Sequence, residues 1–440
     1  MKRRAGCAAV LGILLAPGLV ACGGGGGDAP PPAEPRTDWS RAVTHSHLDL
    51  DLAALTGRAV VTAVDSDSGG LSLAADGLSV DGVRWRGGPL PYRVVDGRLD
   101  IGMPDTDGAT DITIAYGFAT SDALDGWNAA AGHSFLWPDF CANLYPCRPD
   151  PADGQTFSME VSGGAPAETV IHPASIPAPA PGYVPAIARG DYTRLDLGAT
   201  GAGTRVSVWY LPGQAEDALA GAAHLPAVMQ FYETRYGPYP YGNAVGSVAV
   251  AWGGNAFGGM EHHPFWHVAA ASLSDPAVHA HEAAHGWYGN GVRMACWEDF
   301  VLSEGTASYM AARALGAQGV DLWPEYACSL RRICTDDARN TIARPEGCNG
   351  IAILDHPIWS RVPYMKGAWF LREVAAVVGA EPLDDALADF HAARVGSAAR
   401  MADLVDALAA RFPSEAAVIR KRADGWLHRR ACPAIPDAGC

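Results

Sequence analysis

The sequence HEAAH at residues 281–285 places two histidines four positions apart. On an α-helix, residues i and i+4 lie on the same face one turn apart, so the imidazoles of His281 and His285 can reach one metal ion. Glu282 lies about 100° around the helix from His281, close enough to hold a water molecule beside that ion. The pattern is typical of a catalytic zinc site, in which zinc has three protein ligands and an open fourth position.

Glu304 is the candidate third ligand. Eighteen residues separate it from His285, enough for the chain to turn back and bring a carboxylate to the same ion. The alternative is a glutamate that starts the predicted helix SEGTASYMAARALG and interacts only with the helix macrodipole. The preceding HExxH pattern favours the ligand interpretation. His279, two residues before His281, is expected on the far side of its helix as a packed or solvated histidine.

A second cluster, GGMEHHPFWH, occupies residues 258–267. One interpretation is a further metal site formed by His262, His263 and His267. The zinc ligands are already supplied downstream, however, and on a strand His262 points away from Glu261. From the residues alone, Glu261 is interpreted as an ordinary edge-strand carboxylate.

Two different patterns surround these residues. From residue 38 to 213, segments such as RAVVTAV, ITIAYGF and TRVSVWYL alternate or run apolar between Gly, Asp and Pro, which predicts an all-β, sandwich-like domain of two packed sheets. From 214 to 431 helical spacing dominates, which predicts a mixed α/β domain. Its helices include one with Asp275 as N-cap and Pro276 at the first position, and one from Pro363 to Gly379. Residues 432–440 are expected to be a tail.

The N-terminus is predicted to be an export signal over residues 1–21. Lys2, Arg3 and Arg4 precede an apolar run that closes on LVAC, which resembles the bacterial lipobox. Cys22 is then the lipidated residue, and residues 22–37, rich in Gly and Pro, are a tether. The alternative is an ordinary signal peptide with a chance cysteine. The expected location is the cell envelope, with Gly23 favouring the outer membrane and membrane contact through the lipid anchor only.

Composition limits the partners. The formal net charge of −16 argues against nucleic acid, whose binding needs basic patches. Eight cysteines remain after Cys7 and Cys22, an even number that favours disulfides in an exported chain over a zinc–thiolate site. The close pairs Cys141/Cys147 and Cys432/Cys440 are plausible, but the sequence leaves the pairing open. It also gives no prediction of oligomeric state.

The spacing HExxH, eighteen residues, then Glu-Gly resembles the aminopeptidase N family of gluzincins, which includes leukotriene A hydrolase. Further matches in the same order are HSHLDLDLAALTGRAVV, LYPCRPDPADGQTFSMEV, FYETRYGPYPYG, GGMEH and VPYMKG. The resemblance covers most of residues 45–430. It implies that the second domain has a thermolysin-like zinc metallopeptidase fold with a single zinc ion.

The resemblance also implies roles for individual residues. His281, His285 and Glu304 bind zinc, and Glu282 is the general base. Tyr364 in VPYMKG donates a hydrogen bond to the oxyanion; the alternative is a packing aromatic at a helix start.

Residues 258–261 match a family strand that binds substrate: Gly258, Gly259 and Met260 pair with the peptide backbone, and Glu261 binds the free α-amine. His262 replaces the usual Asn of that strand.

The resulting expectation is a zinc aminopeptidase that removes N-terminal residues from peptides. Two departures from the family leave alternatives open. The chain ends shortly after GWLHRRACPAIPD, without the C-terminal domains of larger members, so the cleft is expected to be more open. Where those members have a second amine anchor, this sequence has Phe135 and Trp137, with Asp139 as a weak substitute. A non-catalytic peptide-binding lipoprotein and an open-cleft endopeptidase are the alternatives.

Overall fold

The structure, a computed structural model, describes residues 33–435 and residue 440, except for residues 65, 67–68, 105, 107 and 253–257. The predicted signal peptide, the predicted lipidation site Cys22 and most of the predicted tether lie outside the described residues. Among the described residues, no helix combines the length and apolar character needed to cross a bilayer.

The first part of the chain is built from strands. Within the described residues, sixteen strands precede the first α-helix: β1 (Val43–Asp51), β2 (Thr56–Ala63), β3 (Gly70–Ala74), β4 (Leu78–Trp85), β5 (Gly88–Pro89), β6 (Tyr92–Val95), β7 (Arg98–Gly102), β8 (Thr110–Phe118), β9 (Gly126–Asn128), β10 (His133–Phe135), β11 (Gln155–Ser162), β12 (Thr169–Ile171), β13 (Ser175–Ala180), β14 (Ala188–Gly190), β15 (Thr193–Ala199) and β16 (Arg205–Tyr210).

Three sheets form from β1 to β14. The largest has seven strands in the order β13-β11-β1-β2-β8-β4-β5, and smaller sheets have the orders β12-β14-β10-β9 and β3-β7-β6. In β1, Leu48 and Leu50 are buried while His47 and Asp49 are partly exposed, so the alternating sequence places one face against the core. The predicted fold class, a β-rich domain followed by a mixed α/β domain, is confirmed.

Helices dominate the second part. They are α1 (Ala215–Gly221), α2 (Leu225–Tyr236), α3 (Pro276–Ala284), α4 (Phe300–Gly316), α5 (Trp323–Thr335), α6 (Arg361–Val378), α7 (Ala380–Arg394), α8 (Met401–Arg411) and α9 (Ala416–Leu427). The strands of this part are β17 (Ala244–Val250), β18 (Gly259–Met260), β19 (Phe265–Ala269), β20 (Tyr288–Gly289), β21 (Val292–Met294) and β22 (Ala398–Ala399).

A five-stranded sheet in the order β15-β16-β17-β19-β18 crosses the predicted boundary at residues 213 and 214. Strands β16, β17 and β19 are parallel, and β15 and β18 pair antiparallel at the two edges. The predicted boundary, which placed β15 and β16 in the β domain, is wrong for these two strands, because both pair into the sheet of the second part. Apolar alternation identifies a strand but does not specify the sheet in which it pairs.

Two predicted helix starts also need correction. α4 begins at Phe300, so Glu304 lies in its second turn and not at its start. α6 begins at Arg361, two residues before the predicted Pro363, with Ser360 as N-cap. Pro is favoured in the first turn of a helix but does not fix which position it takes there.

The eight described cysteines form four disulfides: Cys141–Cys147, Cys296–Cys348, Cys328–Cys440 and Cys334–Cys432. The close pair Cys141/Cys147 is confirmed, and the close pair Cys432/Cys440 is wrong. Both C-terminal cysteines pair with α5 instead, because the fold brings that helix beside the end of the chain. The disulfides use all eight thiols, which excludes the zinc–thiolate alternative for these residues.

Candidate active site and metal centre

Helix α3 carries the HExxH sequence. The Asp275 side chain accepts a hydrogen bond from the backbone N–H of Ala277 at 2.9 Å, and Pro276 takes the first helical position, as predicted. His281 and Glu282 lie in the last turn, and His285 follows at the C-cap with helical φ and ψ of −62° and −18°. The helical spacing of the two histidines is therefore retained to the end of the helix.

The three predicted metal ligands converge. The Nε2 atom of His281 lies 3.0 Å from Oε2 of Glu304 and 3.1 Å from Nε2 of His285. The Nε2 atom of His285 lies 3.6 Å from the same Glu304 oxygen. One donor atom from each residue falls within 4.8 Å of the other two. Two histidines and a carboxylate so arranged are a donor set that suits zinc.

Neighbouring groups orient these ligands. Nδ1 of His285 lies 3.0 Å from the carbonyl oxygen of Tyr288, which can only accept, so Nδ1 carries the proton and Nε2 keeps its lone pair. Nδ1 of His281 lies 3.4 Å from the hydroxyl of Ser308 on α4. Burial lowers the pKa of His281 to about 3 and that of His285 to about 4. Both imidazoles are therefore neutral at pH 7, the form that binds a metal ion.

A glycine contact between α4 and α6 brings Glu304 and Tyr364 together. A Cβ atom on Gly305 would lie 2.6 Å from the Cα atom of Gly367. The two backbones can approach this closely because neither residue has a side chain. The Tyr364 ring stacks on His281, with centroids 5.6 Å apart and planes at 22°. Tyr364, the predicted oxyanion donor, therefore lies directly beside His281, a predicted zinc ligand.

Strand β18 runs beside Glu282. A Cβ atom on Gly259 would lie 2.5 Å from Oε1 of Glu282, so glycine is needed for the strand to pass the carboxylate. β18 pairs only with β19 and forms the edge of its sheet in the described residues. Its other edge faces the cleft, where Gly258, Gly259 and Met260 are among the lining residues. This arrangement permits an extended peptide to pair with it.

Glu261 follows β18 and is 4% exposed. Burial, followed by the negative charge of Glu304, raises the pKa of Glu261 to about 8. Asn290 donates from Nδ2 to the backbone carbonyl oxygen of Glu261 at 2.7 Å, and the Tyr183 hydroxyl donates to Oδ1 of Asn290 at 3.1 Å. Sequence reasoning missed Tyr183 and Asn290, since neither belongs to a pattern with recognisable spacing.

Glu282 is 5% exposed. Its pKa is raised well above the usual carboxyl value by burial and by the charges of Glu261 and Glu304. One oxygen of Glu282, one of Glu261 and a ring nitrogen of His285 lie within 4.8 Å of each other. The two predicted carboxylates therefore share one site with the ligands.

The other histidines of the upstream cluster take structural positions. His263 lies 2.8 Å from the carbonyl oxygen of Glu282 and 2.6 Å from the Tyr239 hydroxyl, so it supports the end of α3. The rings of His262 and His267 lie 5.1 Å apart, but His262, His263 and His267 do not bring three nitrogens within 4.8 Å of one another. The geometry does not support a metal site formed by these three residues.

His279 is packed, as expected, between the Ser247 hydroxyl at 2.7 Å and the Leu273 carbonyl at 2.8 Å.

The site lies in a cleft of about 870 Å³. Its lining includes all the predicted catalytic, metal-binding and strand residues. Trp137 also lines it and stacks on Trp359, with centroids 4.4 Å apart. Phe135 and Asp139 are not among the lining residues, and Asp139 is exposed beside a different depression. Of the three residues considered in place of a second amine anchor, Trp137 is the one that lines the cleft.

Comparison with known proteins places the site in a family. Residues 226–426 match the peptidase family M1 domain. Leucine aminopeptidase 2-1 of Meyerozyma guilliermondii is 25% identical over 352 residues, which are 73% of this chain and 55% of that protein. The leukotriene A-4 hydrolase homolog of Botryotinia fuckeliana is 25% identical over 280 residues, 59% of this chain and 41% of that protein. The chain spans about half the length of the curated relatives it matches.

Solved structures share the fold. The M1 zinc metallopeptidase of Deinococcus radiodurans has a TM-score of 0.76 at 19% identity and covers 91% of this chain and 97% of its own. Leukotriene A4 hydrolase from Saccharomyces cerevisiae has a TM-score of 0.72 at 20% identity and covers 90% of this chain and 69% of its own. The predicted catalytic, metal-binding and strand residues, from Gly258 to Tyr364, lie within residues 226–426 of the family match. The chain therefore contains a peptidase family M1 domain.

Proposed function

We propose that this protein is a zinc-dependent aminopeptidase that hydrolyses the N-terminal peptide bond of peptides. The observation that carries the proposal is the placement of two carboxylates beside the His281–His285–Glu304 donor set: Glu282 on α3 and the buried Glu261 at the end of edge strand β18. The name of the Meyerozyma guilliermondii relative, leucine aminopeptidase, supports the same activity.

His281, His285 and Glu304 would hold the zinc ion. When bound, zinc supplies Lewis-acid chemistry that polarises a carbonyl and makes water a stronger nucleophile. Burial and the neighbouring carboxylates raise the pKa of Glu282, so its ionised carboxylate is a stronger base than an ordinary one. A carboxylate of raised pKa can accept the proton of the attacking water and return it to the leaving nitrogen.

Tyr364 stabilises the developing oxyanion. Burial raises the pKa of its phenol well above the usual value, so the hydroxyl remains protonated and can donate a hydrogen bond.

Glu261 sets the register of the substrate. Its carboxylate is the partner for a protonated α-amine, while the free edge of β18 aligns the peptide backbone. A peptide held at its amine is cut one residue from that end.

The proposal is tested with the purified protein, loaded with zinc, on leucyl-amide substrates and on their N-acetylated equivalents. We expect hydrolysis of the free-amine substrates and little or none of the acetylated ones. Glu261→Gln should reduce this preference. Equal rates on both substrates would exclude an exopeptidase, and cleavage of blocked internal bonds would indicate an endopeptidase instead. Stoichiometric zinc without turnover on any peptide would favour a binding protein.

We also propose that the protein is exported and held at the bacterial cell envelope, in the outer membrane, by a lipid on Cys22. The support is the sequence KRR, an apolar run and LVAC at the N-terminus. Radiolabelled palmitate should label the full-length chain in cells and should not label Cys22→Ser. Equal labelling of the two proteins would exclude this anchor.

A further inference from the structure

The outer face of the seven-stranded sheet carries a group of possible metal ligands that the proposed function does not use. His47 and Asp49 on β1 and Glu160 on β11 each offer one donor atom, and the three atoms lie within 4.8 Å of one another. β1 and β11 are parallel neighbours, and Asp49 pairs directly with Glu160. None of the three residues is among those that line the active-site cleft.

A chain of hydrogen bonds fixes which nitrogens of two neighbouring histidines carry protons. The Thr156 hydroxyl donates to the carbonyl oxygen of Thr44 at 3.1 Å, so it accepts from Nδ1 of His45, which lies 2.8 Å away. Nε2 of neutral His45 then has a lone pair, and the Ser158 hydroxyl donates to it at 3.1 Å. Because the proton of that hydroxyl is used, the hydroxyl oxygen accepts from Nδ1 of His47 at 2.8 Å. The Nε2 atom of neutral His47 is therefore left with a lone pair.

This lone pair faces a carboxylate. Nε2 of His47 lies 2.8 Å from Oδ1 of Asp49, and both atoms are acceptors when His47 is neutral. Two acceptors at this distance require a cation beside them. The cation is either a second proton on His47, which gives an imidazolium–carboxylate ion pair, or a metal ion bound to the lone pair.

The charges around the group favour a metal ion over a single proton. Asp49 and Glu160 lie directly opposite each other on neighbouring strands, where like charges are destabilising. Arg58 donates to Oδ2 of Asp49 at 3.0 Å, so its charge offsets one of the two carboxylates. Within the described residues, the Glu160 side chain has neither an ion pair nor a hydrogen bond. A divalent ion would supply two positive charges to the His47 lone pair and both carboxylates.

We propose that His47, Asp49 and Glu160 form a second metal site, which binds a divalent transition-metal ion such as zinc on the β-rich part of the chain. One imidazole and two carboxylates are a nitrogen and oxygen donor set that suits zinc and its first-row neighbours. The side chains of His47 and Asp49 are 30% and 36% exposed, so the ion can enter from solvent and keep water as further ligands. We expect weaker binding than at the active site, whose ligands are more deeply buried. The inference does not depend on the proposed peptidase activity.

Zinc binding is measured by calorimetry on the purified protein after one equivalent of zinc has been loaded at the active site. We expect a second equivalent to bind, and His47→Ala should abolish it. Glu160→Gln is the more informative variant, because this side chain has no other bond in the described residues and its replacement should leave the metal-free fold unchanged. It should weaken the second site about tenfold or more, since even the outer partners of metal ligands contribute about 10–100-fold to affinity.

Arg58→Gln tests the charge argument in the opposite direction. It removes the cation that competes for Asp49 and should tighten zinc binding about fivefold, the effect of one unit charge near an exposed site. His428→Ala is the matched control, because it removes an exposed histidine that belongs to no group of three possible ligands in the described residues. It should leave the second site unchanged.

Thermal denaturation gives an independent measurement. Zinc beyond the first equivalent should raise the Tm of the native protein, because an ion bound only by the folded state stabilises it, and should raise that of Glu160→Gln less. Peptide hydrolysis should be the same in all these variants. A native protein that binds no second equivalent would overturn the inference and leave His47 as an imidazolium paired with Asp49. A second equivalent that survives both His47→Ala and Glu160→Gln would also overturn it, since the zinc would then bind elsewhere.

Discussion

Replacing Gly305 with Ala should open the contact between α4 and α6. The added Cβ atom would lie 2.6 Å from Cα of Gly367, 3.0 Å from its carbonyl carbon and 3.2 Å from the carbonyl oxygen of Pro363. All three are backbone atoms, so no side chain can rotate away. An ordinary contact begins near 3.4 Å, which requires the helices to separate by about 0.8 Å.

This separation should reduce both stability and activity. Overpacking of a well-packed core costs about 1–3 kcal/mol, from which the better helix propensity of Ala removes about 1 kcal/mol. We expect a net loss of up to about 2 kcal/mol, or a few degrees in Tm. Glu304 is adjacent to the altered position and Tyr364 lies one turn from Gly367, so the two move apart. A displacement near 1 Å can reduce turnover about a hundredfold. Thermal denaturation, bound zinc and kcat/KM measure the three effects.

Gly316→Ala is the matched control on the same helix. A Cβ atom there meets nothing within 4 Å. This variant should be unchanged in activity and stabilised by up to about 1 kcal/mol. If Gly305→Ala behaves like Gly316→Ala, the close approach of the two helices is not what positions Glu304 and Tyr364.

Three further perturbations test other parts of the site and the fold. Glu282→Gln should keep stoichiometric zinc, measured by metal analysis, and lower kcat on leucyl-amide by about 10²–10⁴-fold; loss of zinc together with activity would contradict a role confined to proton transfer. In the metal-free protein the raised pKa of Glu261, about 8, means that the folded state holds a proton that the unfolded chain loses near pH 4.5, so the free energy of unfolding should fall as pH rises between these values. Glu261→Gln should flatten this decline in urea titrations at pH 5 and pH 8, and an unchanged slope would refute the assignment. Replacing Cys296 and Cys348 with Ser opens a loop with a sequence separation of 52 residues and should cost about 2–4 kcal/mol in urea unfolding; a midpoint equal to that of the native protein would refute a stabilising role.

The parts of the site that depend on local spacing could be predicted from the sequence. His281 and His285 are adjacent in space because a helix makes them so, and the predicted N-cap at Asp275 is local in the same way. Glu304 could be predicted as well, because the eighteen residues that follow His285 are enough for the chain to turn back towards the two histidines.

The parts that depend on pairing between distant segments could not be predicted. Nothing in the sequence near Gly305 indicates that its partner is Gly367, and the hydrogen bonds of Asn290 to Tyr183 and to the Glu261 carbonyl connect three separate segments. The cysteines behave similarly, because close spacing identified Cys141/Cys147 but suggested a wrong partner for Cys440.

The mixed sheet that contains β15 and β16 has a practical consequence for dividing the molecule. A fragment that starts at residue 214 would lack both strands and leave β17 as an exposed edge. β17 is almost entirely buried and has the sequence AVGSVAV, without charge or proline. An uncovered apolar edge of this kind is a template for intermolecular strand pairing. The helical part should therefore be produced with its upstream hairpin, from before Thr193, and a shorter fragment should aggregate whether or not its zinc ligands are intact.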